Sequence, residues 1–175
     1  MIISVEKLKE YEQFKDFDER ELKDKLDGLE SLIRSYTNNN FQNRNIRFYP
    51  PSENNKLLLK SPLLQVGDTI QITHSMYNDG LYVIEKIDDD GITLDGSLYD
   101  VEIQTVTKIE YPKAVLSTVI NILSWEVKYG SKMGIQSESI GRHSISYFNQ
   151  SENNSLGGYP LSLFNPLNQF QKARF

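Results

Sequence analysis

The side chains best suited to chemistry are few in this sequence and lie far apart. It contains two histidines, His74 and His143, and no cysteine. A zinc site would therefore depend mainly on carboxylates, and thiol or disulfide chemistry is excluded. Aspartates occupy positions 88–90, but Gly91 indicates a loop tip. Their spacing lacks the alternating ligands, central glycine and distal glutamate of a calcium loop. We predict no metal site and no cofactor.

Motifs for nucleophilic catalysis and phosphate binding are also missing. Ser144 follows His143 directly, yet neither lies in the Gly-x-Ser-x-Gly context of a hydrolase nucleophile. No GxxxxGK[ST] or GxGxxG segment occurs. We therefore predict that the protein is not an enzyme. One remaining alternative is a hydrolase that uses His143. Loss of activity on replacing that histidine would be needed to support it.

Three side chains are candidates for contacts between subunits. Trp125 lies off the apolar stripe of its helix, so it is either a partly exposed anchor or a residue at the edge of the core. Arg142 is the one charge in an otherwise neutral stretch and could pair locally or contact a neighbouring chain. His143 follows it directly. We take Trp125, Arg142 and His143 as the candidate subunit interface.

The longest apolar periodicity lies within residues 111–148 and predicts the central helix. Pro112 suits its first turn, because the N–H that proline lacks would be unpaired there. Apolar residues then recur at helical spacing, and the helix should end near Gly130 or Gly134. The stripe consists of Val115, Leu116, Val119, Ile120, Ile122, Leu123 and Val127.

A second amphipathic helix is predicted over residues 18–36. Asp18 is a good N-cap, and Glu21 three residues later completes a pattern like a capping box. Gly28 weakens the middle of this helix by about 1 kcal/mol, which would suit close packing at that point. The two long helices can pack as neighbours if the β unit leaves and returns at one end.

Residues 67–110 alternate between short apolar strands and tight turns. The turn signals are Asn-Asp-Gly at 78–80 and Asp-Gly at 90–91 and 95–96. Strands are predicted at 68–73, 81–87, 92–94 and 106–109. The pattern is similar to a small SH3-type barrel or a curled set of hairpins, and it predicts a fold rather than an activity.

The carboxyl-terminal part is predicted to be a flexible linker over 151–158, followed by an aromatic and apolar segment. That segment is either the last core helix or a docking peptide for a partner. The predicted fold is α+β, with an α-helical bundle core, a small inserted β-barrel or β-hairpin unit and an extended carboxyl-terminal tail. The predicted domains are the bundle at 1–49 and 111–150, the β insert at 50–110, and the linker with docking segment at 151–175.

Composition describes a globular protein with a core. The chain has 175 residues, of which 38% are hydrophobic and 25% charged, and no apolar run approaches the length of a membrane span. Its net charge of −5 is uneven: residues 68–110 carry −8, whereas 37–67 and 111–175 each carry +3. These charges are either solvated surfaces or faces of opposite sign that meet between subunits.

Three segments resemble one protein family. They are SLIRSYTNNNFQ at 31–42, YPKAVLSTVINILSWEVKYGSKMGIQSESIGRHSISYF at 111–148, and a YP-L-L-F ending within 159–175. The pattern GIxSESIGRxSxSY is the most specific part. Together they resemble the head–tail connector family (adaptor, or head completion, proteins) of tailed bacteriophages, in the version found in long-tailed phages of Gram-positive hosts.

The resemblance implies a structural protein. In that family an α-helical bundle forms a ring beneath the portal vertex of the capsid, commonly twelvefold, and DNA passes through its lumen without specific binding. Such a protein would contact the portal and the next connector, stopper or tail-terminator protein. It would lie at the head–tail interface of the virion, and in the host cytoplasm before assembly.

The family's carboxyl-terminal segment docks onto the portal. The corresponding residues here are Tyr159, Pro160, Leu161, Leu163, Phe164, Phe170, Arg174 and Phe175. The β insert is larger than the loop or hairpin of many relatives. The alternative function is a nucleic-acid-binding small barrel, which the −8 charge of residues 68–110 disfavours because basic side chains supply most phosphate affinity.

Overall fold

The structure, a computed structural model, describes residues 2–132, 137–140, 143–146 and 154–173, with side chains described for 2–131 and 154–173. The chain divides into two compact units. We call residues 40–111 the sheet unit, and residues 2–39 together with 112–175 the terminal unit. Each is described by itself below.

The sheet unit is built on one antiparallel sheet of seven strands. Alternating side chains with β-branched and aromatic residues favour this extended backbone. The strands are β1 (Gln42–Phe48), β2 (Ser52–Glu53), β3 (Lys56–Leu57), β4 (Thr69–Thr73), β5 (Gly80–Asp88), β6 (Gly91–Leu94) and β7 (Thr105–Ile109). Their order across the sheet is β1-β7-β4-β5-β6-β3-β2, so β1 and β2 are its edges.

The four strands that alternation predicted correspond to β4, β5, β6 and β7, which confirms those predictions. Ile70 and Ile72 are fully buried on one face of β4, as predicted. The core of the unit consists of Leu57, Leu64, Ile70, Ile72, Ile84, Ile92, Leu94, Leu98 and Val106. Gly91 begins β6 at a φ of +142°, and a Cβ there would overlap the carbonyl oxygen of Leu57. Only glycine therefore lets β6 approach β3 this closely.

Among its described residues, the terminal unit has three α-helices and several shorter elements. The helices are α1 (Val5–Lys9), α2 (Glu19–Thr37) and α3 (Lys113–Tyr129), with 3₁₀ helices at Glu12–Phe14, Gly130–Lys132 and Leu161–Phe170. Two antiparallel hairpins pair β8 (Ser137–Ile140) with β9 (His143–Ser146) and β10 (Ser155–Leu156) with β11 (Tyr159–Pro160).

Both long helices lie where periodicity predicted them. The carboxylate of Asp18 accepts hydrogen bonds from the N–H groups of Arg20 and Glu21, and Asn38 ends α2 in the left-handed conformation. In α3, most of the predicted stripe is buried or half-buried, but Val127 is 44% exposed. Gly28 faces open space, so the expected close packing at that residue is wrong.

The prediction of an α-helical bundle core is wrong. The largest element is the seven-stranded antiparallel sheet, and only the general assignment to a mixed α+β class holds. Two causes explain the error. Edge strand β1 carries exposed Arg44 and Arg47 among its apolar residues, so its alternation is weak. In the terminal unit, the 3₁₀ segment Leu161–Phe170 packs against both long helices, and 3₁₀ segments leave no 3.6-residue periodicity.

The predicted linker also differs from the structure over residues 155–158. There, Leu156 pairs with Tyr159 across a two-residue turn of Gly157 and Gly158, with φ values of +58° and +87°. Two positive φ values are what a type I′ hairpin turn requires, and glycine adopts them without strain. The glycines therefore form a tight turn. Within the described part of the chain, no helix is long and apolar enough to cross a membrane.

Candidate protein-docking surface

Two loops of the sheet unit leave the same end of the sheet. Thr73, the last residue of β4, is the cross-strand partner of Thr105, the first residue of β7. Because the strands are antiparallel, the loops at 74–79 and 98–104 lie side by side. Strand β2 pairs with the loop at 98–104, since Ser52 and Val101 exchange two backbone hydrogen bonds of 2.9 and 3.0 Å.

The side chain of Asn78 connects these three segments. It is fully buried, and its Nδ2 donates towards Ser52 Oγ at 3.1 Å, the Tyr99 carbonyl at 2.9 Å and Gln104 Oε1 at 3.1 Å. Its Oδ1 accepts the N–H of Tyr99 at 2.8 Å. A buried, hydrogen-bonded amide fixes the relative positions of the backbones that it joins, although Nε2 of Gln104 is buried without a partner among the described residues.

The loop at 74–79 has a strained backbone that local hydrogen bonds hold. His74 and Met76 have φ values of +61° and +71°, which residues other than glycine seldom adopt. The carboxylate of Asp79 accepts the Ser75 N–H at 2.8 Å and its hydroxyl at 3.0 Å, and these bonds lower the pKa of Asp79. Ser75 Oγ in turn accepts the Asn78 N–H at 2.6 Å.

Large apolar side chains project outward from these fixed backbones. Met76 is 86% exposed, Tyr77 64%, Tyr99 67% and Ile103 65%. The rings of Tyr77 and Tyr99 contact each other, with centroids 5.9 Å apart. We call Met76, Tyr77, Tyr99 and Ile103 the tyrosine surface. Rigid, exposed aromatic residues of this kind are typical of the anchors in protein interfaces.

The electrostatic character of this surface is acidic. Residues 74–80 and 96–105 contain no lysine or arginine, whereas Asp79, Asp100 and Glu102 are all exposed. The sheet unit carries 6 basic and 11 acidic side chains, a net charge of −5, while the terminal unit carries 13 of each. The net charge of the chain therefore comes from the sheet unit.

The structure brings two of the predicted site residues together in the terminal unit. Trp125 is half-buried and contacts the rings of Tyr129 and Tyr159, with centroids 5.9 and 6.0 Å away. Tyr159 donates to Glu126 Oε2 at 2.7 Å, and burial with this hydrogen bond raises the Tyr159 pKa far above its usual range. Lys25 pairs with the other oxygen of Glu126, which raises the pKa of Lys25.

The predicted docking tail is largely packed within its own unit. Phe164 and Pro160 are buried, and Leu161, Leu163 and Phe170 are half-buried. Hydrogen bonds fasten its end to the last residue of α2 and the two residues after it: Lys172 N to Thr37 O at 2.8 Å, Asn38 Nδ2 to Lys172 O at 3.3 Å and Ala173 O at 3.0 Å, and Asn39 Nδ2 to Phe170 O at 3.0 Å. Arg142, Arg174 and Phe175 lie outside the described residues. His143 lies in β9, and its side chain is not described.

A cavity of about 290 Å³ opens in the terminal unit beside the pair of Lys25 and Glu126. Its apolar lining comes from Phe14, Phe17, Leu22, Leu123 and Val127. Across the described ranges, no three or more His, Cys, Asp or Glu side chains are grouped so as to hold a metal ion.

Sequence reasoning did not identify the tyrosine surface. Its residues lie in connecting loops, where apolar side chains follow no strand or helix period. The available signal was the run Ser-Met-Tyr-Asn-Asp-Gly at 75–80, which places two large apolar residues directly before a turn.

The chain is thus a mixed α+β protein that exposes an acidic, aromatic surface on its sheet unit. No protein-family model matches the chain, and no curated protein is significantly similar to it in sequence.

Proposed function

We propose that this chain is a structural subunit of the head–tail connector of a tailed bacteriophage, and that copies of it form a ring beneath the portal that leaves a channel for DNA. One observation carries the proposal. The segments that resemble this family, 31–42, 111–148 and 159–175, are far apart in sequence, yet all but four residues of them belong to the terminal unit.

Contacts within the terminal unit support treating the first and last segments as one structure. The ring of Tyr36 packs on Phe164 with centroids 5.5 Å apart, and its hydroxyl donates to Asn168 Oδ1 at 2.6 Å. Lys172 N donates to Thr37 O just beyond. The resemblance therefore extends over residues that pack against one another, which is expected when a family shares one structural unit.

The packing restricts which tail residues can dock on a portal. Phe164 and Pro160 are buried, so their part in the proposal is to hold the tail in place. The half-buried Tyr159, Leu161, Leu163 and Phe170 are the described residues available for contact. DNA would pass without specific binding, since a net charge of −5 on the sheet unit disfavours phosphate contacts.

Electron microscopy of the purified protein, alone and mixed with portal rings of the same phage, tests this function. We expect added density on one face of the portal, coaxial with its channel. A variant that replaces Leu163 with aspartate should remove that density while circular dichroism shows the same fold. The matched control is Asn165→Asp, at an exposed neighbouring position. Portal rings without added density in the wild-type mixture would refute the proposal.

A further inference from the structure

We infer that the tyrosine surface is a docking site for a partner protein segment that presents arginine or lysine beside apolar side chains. The inference concerns the sheet unit and goes beyond the connector role, which is proposed from the terminal unit. It depends on three properties of the surface: fixed backbones, exposed apolar groups and negative charge.

Because hydrogen bonds already hold the loop backbones, binding would require little further ordering of the chain. Asn78 joins three segments through its amide, and Ser52 Oγ adds a hydrogen bond of 2.7 Å to the Tyr99 carbonyl. The hydroxyl of Tyr82 also donates to the Asn78 carbonyl at 3.1 Å. A partner would meet side chains whose main chains are already in position, and preorganisation of this kind increases affinity.

The exposed groups suit a protein segment. Met76 and Ile103 offer aliphatic area, and the paired rings of Tyr77 and Tyr99 offer aromatic faces. A guanidinium or ammonium group binds over such a face through cation–π attraction. Met76 has a left-handed φ of +71° and is 86% exposed, so its side chain is accessible to a partner and is not part of the core.

The negative charge selects the partner class. Exposed aromatic rings also stack on single-stranded nucleic acid, but that mode requires a positively charged groove. The two loops instead carry Asp79, Asp100 and Glu102 without a lysine or arginine, so phosphate groups would be repelled. Anionic lipid surfaces are disfavoured for the same reason. A cationic and apolar protein segment satisfies both features of the surface.

The experiment uses the full-length protein and a fluorescent, end-blocked synthetic peptide in which arginine and leucine alternate. Anisotropy should show saturable binding that weakens as sodium chloride rises from about 50 to 300 mM. A double variant with Tyr77→Ser and Tyr99→Ser should bind at least about tenfold more weakly. The control double variant, Leu63→Ser with Val66→Ser, removes comparably exposed side chains before the other end of β4 and should bind like the wild type.

Charge reversal provides a second arm. Glu102→Lys should weaken binding of the arginine peptide. The same variant should bind a peptide that has glutamate in place of arginine more tightly than the wild type does. Three results would overturn the inference: no binding up to about 1 mM peptide, equal binding by the tyrosine and control variants, or tighter binding of oligothymidylate than of the arginine peptide. Thermal unfolding of each variant checks that it is folded.

Discussion

At the scale of single residues, the buried amide of Asn78 links three segments of the sheet unit. This amide group is hydrogen-bonded to Ser52 in β2 and to Tyr99 and Gln104, near the two ends of the loop at 98–104. No periodicity predicts such a residue, because its importance comes from segments that are 21 and 26 positions away in sequence. The Asn-Asp-Gly turn was predictable, whereas the burial of its asparagine was not.

We predict that Asn78→Ala destabilises the protein by roughly 2–4 kcal/mol, because it leaves several buried groups without partners. The free energy of unfolding in urea measures this. Asn45→Ala, at an exposed position in β1, is the matched control and should lie within about 0.5 kcal/mol of the wild type. Equal stability of the two variants would contradict the role given to Asn78.

The acidic run at 88–90 is explained by ion pairs. Asp88 accepts hydrogen bonds from Lys56 at 3.1 Å and pairs with Lys86 at 3.2 Å, and these bonds lower its pKa to about 2. Because the folded-state pKa is below the usual value of 3.8, the ionised Asp88 stabilises the fold at pH values above 3.8. That stabilisation is lost as the pH falls towards 2.

Asp88→Asn should therefore be less stable than the wild type at pH 7, and the difference should shrink as the pH falls from about 4 to about 2. Thermal unfolding midpoints across this range measure the effect. Asp89→Asn alters the neighbouring exposed carboxylate and serves as the control. A difference between Asp88→Asn and the wild type that stays constant down to pH 2 would show that these ion pairs do not cause it.

At the scale of elements, the segment Leu161–Phe170 is part of the core of the terminal unit. Phe164 and Leu167 are fully buried against the long helices. We predict that Phe164→Ala costs about 3–5 kcal/mol, as expected for removing a buried aromatic ring. Urea unfolding measures the loss, and Asn165→Ala, next in the chain and exposed, should be close to neutral. A small effect of Phe164→Ala would indicate that the segment detaches readily.

Helix α2 offers a prediction of opposite sign. Gly28 lies in the exposed middle of the helix, and an added Cβ would meet no atom within 4 Å. Gly28→Ala should therefore stabilise the protein by about 0.5–1 kcal/mol, since alanine restricts the unfolded chain and favours helix. Chemical unfolding tests it, with Gly91→Ala as a strongly destabilising comparison. Loss of stability in Gly28→Ala would reveal a packing partner at that helix face.

The elements that sequence predicted well are those whose pattern is local. Asp18 caps α2, and the alternation of Ile70 and Ile72 marks β4, because each signal lies within a few residues. The elements that it missed depend on distant partners. β1 is extended because it pairs with β7 some sixty residues later, and the burial of Phe164 follows from Tyr36 and α3. Local pattern therefore predicted the two long helices and strands β4 to β7, but neither the seven-stranded sheet nor the tyrosine surface.

At the scale of the whole molecule, the two units have different characters. The terminal unit has balanced charge and contains the segments that resemble phage connectors, whereas the sheet unit carries the net charge of −5 and the tyrosine surface. In the proposed assembly the terminal unit contacts the portal, and the sheet unit presents the tyrosine surface to a cationic partner. Loss of one contact should leave the other intact, because the residues of each lie in different units.

The mass of the complex with the portal ring tests the central claim most directly. Native mass spectrometry of portal rings mixed with an excess of this protein should show the portal mass increased by one copy of the 20.2 kDa chain per portal subunit. A portal whose mass is unchanged, with the protein remaining monomeric beside it, would contradict the account.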